Sequence, residues 1–471
     1  MPISQENNSS AAQYSPADGS GSANLVAFWL MLAYCLSFLD RQLLVLMIEP
    51  IQRDLGISDT MFSLLHGTSF ALFYTITGIY LGKLVDTKSR VKIIALSIFL
   101  WSLATAISGI SRSFFQLFVA RMFVGVGEAG LSPGTYSLLS DLFDAKKRSR
   151  AFAIYGAGIY LGTGLAFLLG SKLVGYLSGL PPTDLPFFGE IYSWQIAFFV
   201  FAAPGIFLSV LFYFFVAEPA RGGQEKTAAV SAPDNESAPV TFREFLRHYR
   251  ANLKPYLGHN LGYGLHMMFS YSFLAWTPAM LMRVHGLEIG DVGLYIGLCL
   301  LICGPAGSFS GAALSNYFRV RGLSDSQLRV SAIGSLLLGI FGALSASLDN
   351  TQLSIAAAGI AIFFMGLPAG LNAATLQTIT PPHFRGQAGA SFMLVGNILG
   401  LGLGPLLVAL LTDYVFLDQS MVHHSLQVFA LMTMPLSAIL LWRVRSYFAI
   451  EEGGDDGGLT ADKIEDNVAR L

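Results

Sequence analysis

GKLVDTKSRVK, residues 82–92, sets Gly82, Asp86 and Arg90 at steps of four; GAALSNYFRVR, residues 311–321, sets Gly311, Ser315 and Arg319 at the same steps about 230 residues later. Each stretch is a polar connection between two long apolar runs. One pattern met twice at corresponding places is the trace of two related halves. Working outward from these loops, twelve apolar segments can be marked, at roughly 24–50, 58–83, 91–110, 113–140, 150–178, 192–217, 253–282, 290–318, 328–348, 351–380, 386–412 and 421–447. Each reaches the twenty or so residues with which a helix crosses about 30 Å of hydrocarbon. The second loop has Ser315 where the first has Asp86, so it lacks one member of the charge set.

Composition agrees. Of 471 residues, 53% are hydrophobic and only 12% charged, against about 25% charged in soluble domains. The chain reads as an all-α, multi-pass membrane protein: a flexible tail (1–23), a six-helix bundle (24–217), a linker ending in a short amphipathic helix (218–252), a second six-helix bundle (253–448) and a second flexible tail (449–471). The first 23 residues hold no Lys or Arg, unlike a cleavable leader. Cys35, Cys299 and Cys303 all fall in apolar segments and read as small buried hydrophobes, not as a disulfide framework. Net charge is −2 and no basic stripe stands apart from the short loops, so no nucleic-acid partner is expected. Of 28 Lys and Arg, Arg41 and Arg121 lie within spans, and Arg53, Arg112, Lys172 and Arg283 lie on one side. The other 22 lie with both termini and the linker. That bias predicts cytoplasmic termini and linker; the expected location is a plasma or inner membrane.

Four further stretches carry a resemblance: FLDRQLL at 38–44, RMFVGVGEAG at 121–130, DLFDAKKRSR at 141–150 and GLGLGP at 400–405. The paired loop pattern resembles the signature of the major facilitator superfamily. The four stretches together, over about residues 25–447, resemble the Spinster family of lipid transporters. One departure is Gln195 in SWQIAFF, where related transporters often carry Arg after the Trp. The resemblance implies two pseudo-symmetric six-helix bundles that rock about a central site. The cargo it implies is an amphipathic lipid such as a lysophospholipid or a sphingosine-1-phosphate-like molecule. Gly82, Asp86, Arg90 and Arg319 would then form the cytoplasmic gate.

The residues themselves mark a site. Asp40, Arg41, Arg121 and Glu128 lie deep in apolar segments, where each costs about 2.5–3.5 kcal/mol at a helix centre. They must face a polar interior and pair. At 1.5 Å per residue, Asp40 lies about 15 Å below the outer end of the first helix and Arg121 about 12 Å below that of the fourth, so these two can meet. Glu128, two turns from Arg121 on the same face, sits further along that wall. A surplus carboxylate in such a cavity can load and release a proton. Asp40 and Glu128 are therefore the expected proton carriers, with Arg121 as switch partner. Arg41 is the expected contact for an anionic head group. The second half shows no deep Asp, Glu, Lys or Arg, but milder polar and aromatic residues. Tyr263, Tyr271, Trp276 and Asn397 are its candidate substrate contacts. A charged wall facing an apolar, aromatic one suits an amphipathic solute. His66 and His259 read as buried, satisfied histidines.

The alternatives are a transporter of small organic anions or drugs, a static salt bridge fixing helix packing, a channel or receptor, and a membrane enzyme. No HExxH, CxxC or P-loop is present. No metal or cofactor is expected. Protons and membrane lipids are the other expected partners, and a monomer suffices.

Overall fold

A computed structural model of the chain describes residues 19–179, 183–185, 189–221 and 242–447. The expected C-terminal tail, most of the N-terminal tail and most of the linker lie outside the described residues. The first helix begins at Gly19, inside the stretch expected to be a tail. The long helices are α1 (Gly19–Leu46), α2 (Asp59–Thr87), α3 (Arg90–Ser108), α4 (Phe114–Leu142), α5 (Arg150–Ser178) and α6 (Ser193–Phe215) in the first half. In the second half they are α7 (Leu253–Arg283), α8 (Ile289–Val320), α9 (Ser326–Ser347), α10 (Thr351–Ile379), α11 (Pro382–Phe416) and α12 (Gln419–Tyr447). Eleven are long and apolar enough to cross a membrane. The exception is α7. Its 31 residues are ample in length, but His259, Asn260, His266 and several serines and tyrosines dilute its apolar character. A small antiparallel hairpin, β1 (Thr183–Leu185) with β2 (Gly189–Ile191), departs from the all-α expectation.

Polar residues start the helices. Ser58, Ser89, Ser113, Asp144 and Asn350 each accept a hydrogen bond from a backbone N–H three residues on, which satisfies a donor that a helix start leaves open. Gln195 does similar work at α6. Its Oε1 accepts from the Tyr192 N–H at 2.8 Å while its Nε2 donates to the Ser111 carbonyl at 2.9 Å, tying α6 to the end of α3. Within α4 the helix breaks at Ala129–Gly130, directly after Glu128. Pro133 lacks the N–H that would bond back to Ala129.

The termini and linker define one end of the bundle, here the linker side; the other is the far side. At the far side a single apolar core runs through both halves, joining Leu43, Met47, Phe62 and Trp194 to Trp276, Met280, Ile296 and Val408. Toward the linker side two further cores form, one around Ile94, Leu138 and Tyr155 of the first half, which also takes in Leu401 of α11, the other around Tyr256, Phe384 and Phe392 of the second half. Close approaches between halves occupy the far side and the middle. Gly67 of α2 abuts the Leu401 carbonyl of α11, and Gly293 of α8 abuts the Phe167 carbonyl of α5. Neither glycine has room for a Cβ. Lower down, Tyr160 reaches Gly304, at 2.9 Å from where a Cβ would stand. These contacts between the halves thus lie at the far side and in the middle of the seam. Two π-helical turns, Leu64–Thr68 and Asn397–Leu403, face each other at this seam, where Thr68 Oγ1 donates to the Gly402 carbonyl at 2.9 Å.

Candidate functional site

Asp40 and Arg41 are consecutive on α1, so their side chains leave about 100° apart. They find two different partners on α4. Arg121 Nη1 donates to Asp40 Oδ2 at 3.0 Å, and Thr105 Oγ1 of α3 donates to Asp40 Oδ1 at 2.9 Å. Arg41 reaches toward the linker side, and its Nε donates to Glu128 Oε2 at 2.8 Å. Ser37, one turn before Arg41, donates to the same oxygen at 2.5 Å. The quartet is therefore two parallel ion pairs, not two acids sharing Arg121. Asp40, Arg121 and Glu128 are at most 4% exposed. Arg41 is the more accessible, with 12% of its side chain exposed. Its guanidinium carbon lies 4.7 Å from the Phe38 ring centre, 4.4 Å from Phe70 and 5.3 Å from Tyr74. These contacts stabilise a desolvated cation by about 1–2 kcal/mol each at best.

The pairing is incomplete in an informative way. Glu128 Oε2 accepts every bond while Oε1 accepts none, and Arg121 Nε has no acceptor. His66 Nδ1, in the π turn of α2, is also buried without a partner. Buried polar atoms of this kind are rare in finished scaffolds.

The candidates on the second half separate into two groups. Tyr271 is half-buried, packs against the first-half core and lies beside Gly400. Asn397, half-buried, opens the π turn of α11. Tyr263 and Trp276 lie elsewhere. The Tyr263 hydroxyl donates to Ser331 Oγ at 2.9 Å inside the second half. Trp276 Nε1 donates to the Pro405 carbonyl at 2.9 Å, and its ring meets Phe62 in the far-side seal. His259 is hydrogen-bonded to Asn260 and to the Asn372 carbonyl. Not singled out from sequence were Ser37, Thr105 and the ring set Phe38, Phe70 and Tyr74. The signal that could have found Ser37 is its one-turn spacing before Arg41.

The gate candidates also divide. Arg90 is fully buried and bonds Asp141, Glu218 (Nε to Oε1, 2.6 Å) and the Pro219 carbonyl (2.7 Å), all in its own half. Asp86 is exposed, and its backbone carbonyl accepts from Arg221. Gly82 has open space where a Cβ would be, whereas Gly311 packs directly on the Leu367 carbonyl. Arg319 donates to Asn316 Oδ1 at 3.0 Å at the surface.

Two other features lie apart from the quartet. A mostly apolar groove of about 520 Å³ runs along α3 and α4 and is lined by Leu103, Ile107, Phe115 and Phe123 among others, with none of the four charges. GLSPG, residues 130–134, has the spacing of a nucleophile elbow. That motif needs a strand before the serine; here a helix turn precedes it, and Ser132 Oγ is hydrogen-bonded to the Tyr155 hydroxyl at 2.9 Å.

Comparison with known proteins fits this architecture. Residues 30–405 match the family described as Major Facilitator Superfamily. A probable galactarate/D-glucarate transporter of Bacillus subtilis is 26% identical, with 80% of this chain and 83% of that protein aligned. Human protein spinster homolog 1 is 28% identical, over 83% of this chain and 74% of that one. A crystal structure of a bacterial homolog to the human lysosomal transporter Spinster, inward-facing and unoccupied, superposes with a TM-score of 0.73 at 22% identity. It covers 91% of this chain and 97% of that one.

Proposed function

This chain belongs to the major facilitator superfamily and resembles its Spinster members, and from that premise we propose that it is a proton-coupled transporter of an amphipathic, anionic lipid. The carrying observation is the Arg41–Glu128 pair. It is a buried cation, wrapped in aromatic rings, whose counter-ion keeps one oxygen free. Protonation of Glu128 removes the charge opposite Arg41. Arg41 then takes the anionic head group of the cargo, and the apolar rings and Tyr271 take the start of its tail. Because one arginine serves both partners, proton and cargo binding are linked, and the linkage is reciprocal. Asp40 and Arg121 form the second pair; Asp40 takes up a proton when Arg121 leaves it as the halves rock and gives that proton up when the pair re-forms. Asn397 lies on the opposite wall. Gly82, Asp86, Arg90 and Arg319 belong to the linker-side gate, which this reading takes to be open. The charge bias makes the linker side cytoplasmic, so this is an inward-open state in a plasma or inner membrane, with α7 as a twelfth span.

The sugar-acid relatives favour a second reading, in which the cargo is a small organic anion held by Arg41 and Arg121 without any tail. Purified protein reconstituted in vesicles separates the two. Under the lipid reading, an inward proton gradient drives flux of a lysophospholipid and not of a hexarate, and Glu128→Gln uncouples flux from pH. Unchanged flux and pH dependence in both Glu128→Gln and Asp40→Asn would remove proton coupling from the proposal.

A further inference from the structure

Both ion pairs seen between the two halves, among the described residues, run through one side chain, and it is not in the chamber. We infer that Arg283 is the far-side latch of the transport cycle: its guanidinium holds the halves together at that end, and its release from Glu49, Gln52 and Asp59 is the step that opens the chamber outward.

Arg283 is the last residue of α7 and the only Lys or Arg that the second half places at the far side. Its five N–H donors are all engaged. Nε donates to Glu49 Oε1 at 2.7 Å. Nη1 and Nη2 grip Asp59 at 2.7 and 2.9 Å, the bidentate geometry that suits a guanidinium. Nη2 also donates to Gln52 Oε1 at 2.8 Å, and Nη1 to the Gln419 carbonyl at 3.3 Å. Only that last bond stays within its own half.

The acceptors are arranged before Arg283 arrives. Glu49 and Gln52 sit three apart on one face of the short helix Ile48–Leu55. Gly56, at φ +62°, turns the chain in a backbone region that glycine tolerates, and Ser58 caps the helix that Asp59 begins. Gln52 Nε2 donates to Asp59 Oδ1 at 2.6 Å, which aims the carboxylate at the arginine. The Asp59 side chain is fully buried, while Glu49 is 44% exposed. Asp59 therefore carries the hold, and Glu49 is the arm from which water can start to loosen it. The surrounding far-side bonds between halves, such as Ser63 Oγ to the Pro405 carbonyl and Thr60 N–H to Asp413, are single bonds with no basic partner. Among the described residues no ion pair joins the halves at the linker side, where Arg90 bonds Asp141 and Glu218 of its own half. Removing Arg283 therefore biases the rocking equilibrium in one direction, toward the outward-open state.

The inference rests on the alternating-access reading above and not on the cargo assigned there. Its test uses no cargo and no proton gradient, so failure of one leaves the other standing. Ser63→Cys, placed in a chain with Cys35, Cys299 and Cys303 replaced by serine, puts a buried reporter at the far-side seam. A membrane-impermeant maleimide is added from the far side. Arg283→Gln is expected to raise the labelling rate at least tenfold, Arg283→Lys by an intermediate amount because it keeps charge without the fork, and Glu49→Gln a few-fold. Should Arg283→Gln fail to reach the membrane, Glu49→Gln decides alone, because it alters a half-exposed side chain without changing its size. Unchanged or slower labelling in the folded variants overturns the latch.

Discussion

The interiors of the two halves are polar in different ways. The first half buries two ion pairs, Asp40–Arg121 and Arg41–Glu128. The second buries neutral groups in closed sets: Tyr263 with Ser331, His266 with Ser335 and the Met365 carbonyl, Ser437 with Ser335 and the Gly262 carbonyl. The balance of unmet hydrogen bonds follows the same line. Of the eleven buried side-chain atoms without a partner among the described residues, nine lie in the first half, among them Arg121 Nε and Glu128 Oε1, and Thr277 and Gln387 supply the rest. Neutral, satisfied groups hold a scaffold together. Charged groups with unused valence are held at a cost in stability. Under the proposed function, the comparison assigns chemistry to the first half and shape to the second.

The sharpest way to break that assignment is to dismantle one ion pair. Arg121→Leu leaves Asp40 buried and uncompensated, and about 3–5 kcal/mol of stability should be lost. The double variant Arg121→Leu with Asp40→Leu should recover most of that loss, as apolar replacements of buried pairs commonly do. Both should be transport-dead. Thermal unfolding in detergent and flux in vesicles read the two quantities separately. A double variant that regains stability and still transports would return the pair to a packing role.

The loop pair tests the halves where the sequence makes them look alike. Gly311→Ala drives a Cβ into the Leu367 carbonyl, and overpacking of this kind costs about 1–3 kcal/mol. Gly82→Ala meets open space and should leave unfolding unchanged or slightly raised, since alanine restricts the unfolded chain. If Gly82 seals the linker side when that side closes, the same variant loses transport while keeping stability. A smaller contrast is Tyr263→Phe, which removes one neutral hydrogen bond worth about 1 kcal/mol and should leave flux intact. A large flux defect there would move Tyr263 back among the cargo contacts.

How much of this was legible beforehand varies with distance along the chain. Periodic apolar length gave the span positions, and depth arithmetic brought Asp40 to Arg121, because both measures depend only on helix rise. Arg41–Glu128 was harder to foresee. Arginine has a long reach, and Arg41 bends toward the linker side to a residue that counting places deeper. Tyr263 and Trp276 could not be told from Tyr271 by type, because the helix face each presents depends on packing partners a hundred or more residues away, such as Pro405. Arg283 looked like a minority charge in a short loop. Its partners, Glu49, Gln52 and Asp59, lie in the other half of the chain, and only the fold brings Arg283 to them.

The smallest expected effect concerns acid and falls again on the first half. Burial raises the proton affinity of Glu218, but bonds from Ser89, the Val91 N–H and Arg90 outweigh it and hold its carboxyl below its ordinary value of 4.5. A depressed folded value means that the stabilisation is present above about pH 4.5 and is lost as pH falls through the folded value. At the matching loop of the second half, Ser315 meets Ser326 Oγ at 3.2 Å, a contact between two neutral hydroxyls. Melting temperatures of wild type and Glu218→Gln should therefore differ modestly at pH 6 and converge toward pH 3, whereas Ser315→Ala should shift melting by the same small amount throughout. A Glu218→Gln difference that stays constant with pH would show that the carboxylate serves only as a hydrogen-bond acceptor. The linker-side ends of the two halves would then differ in geometry but not in charge.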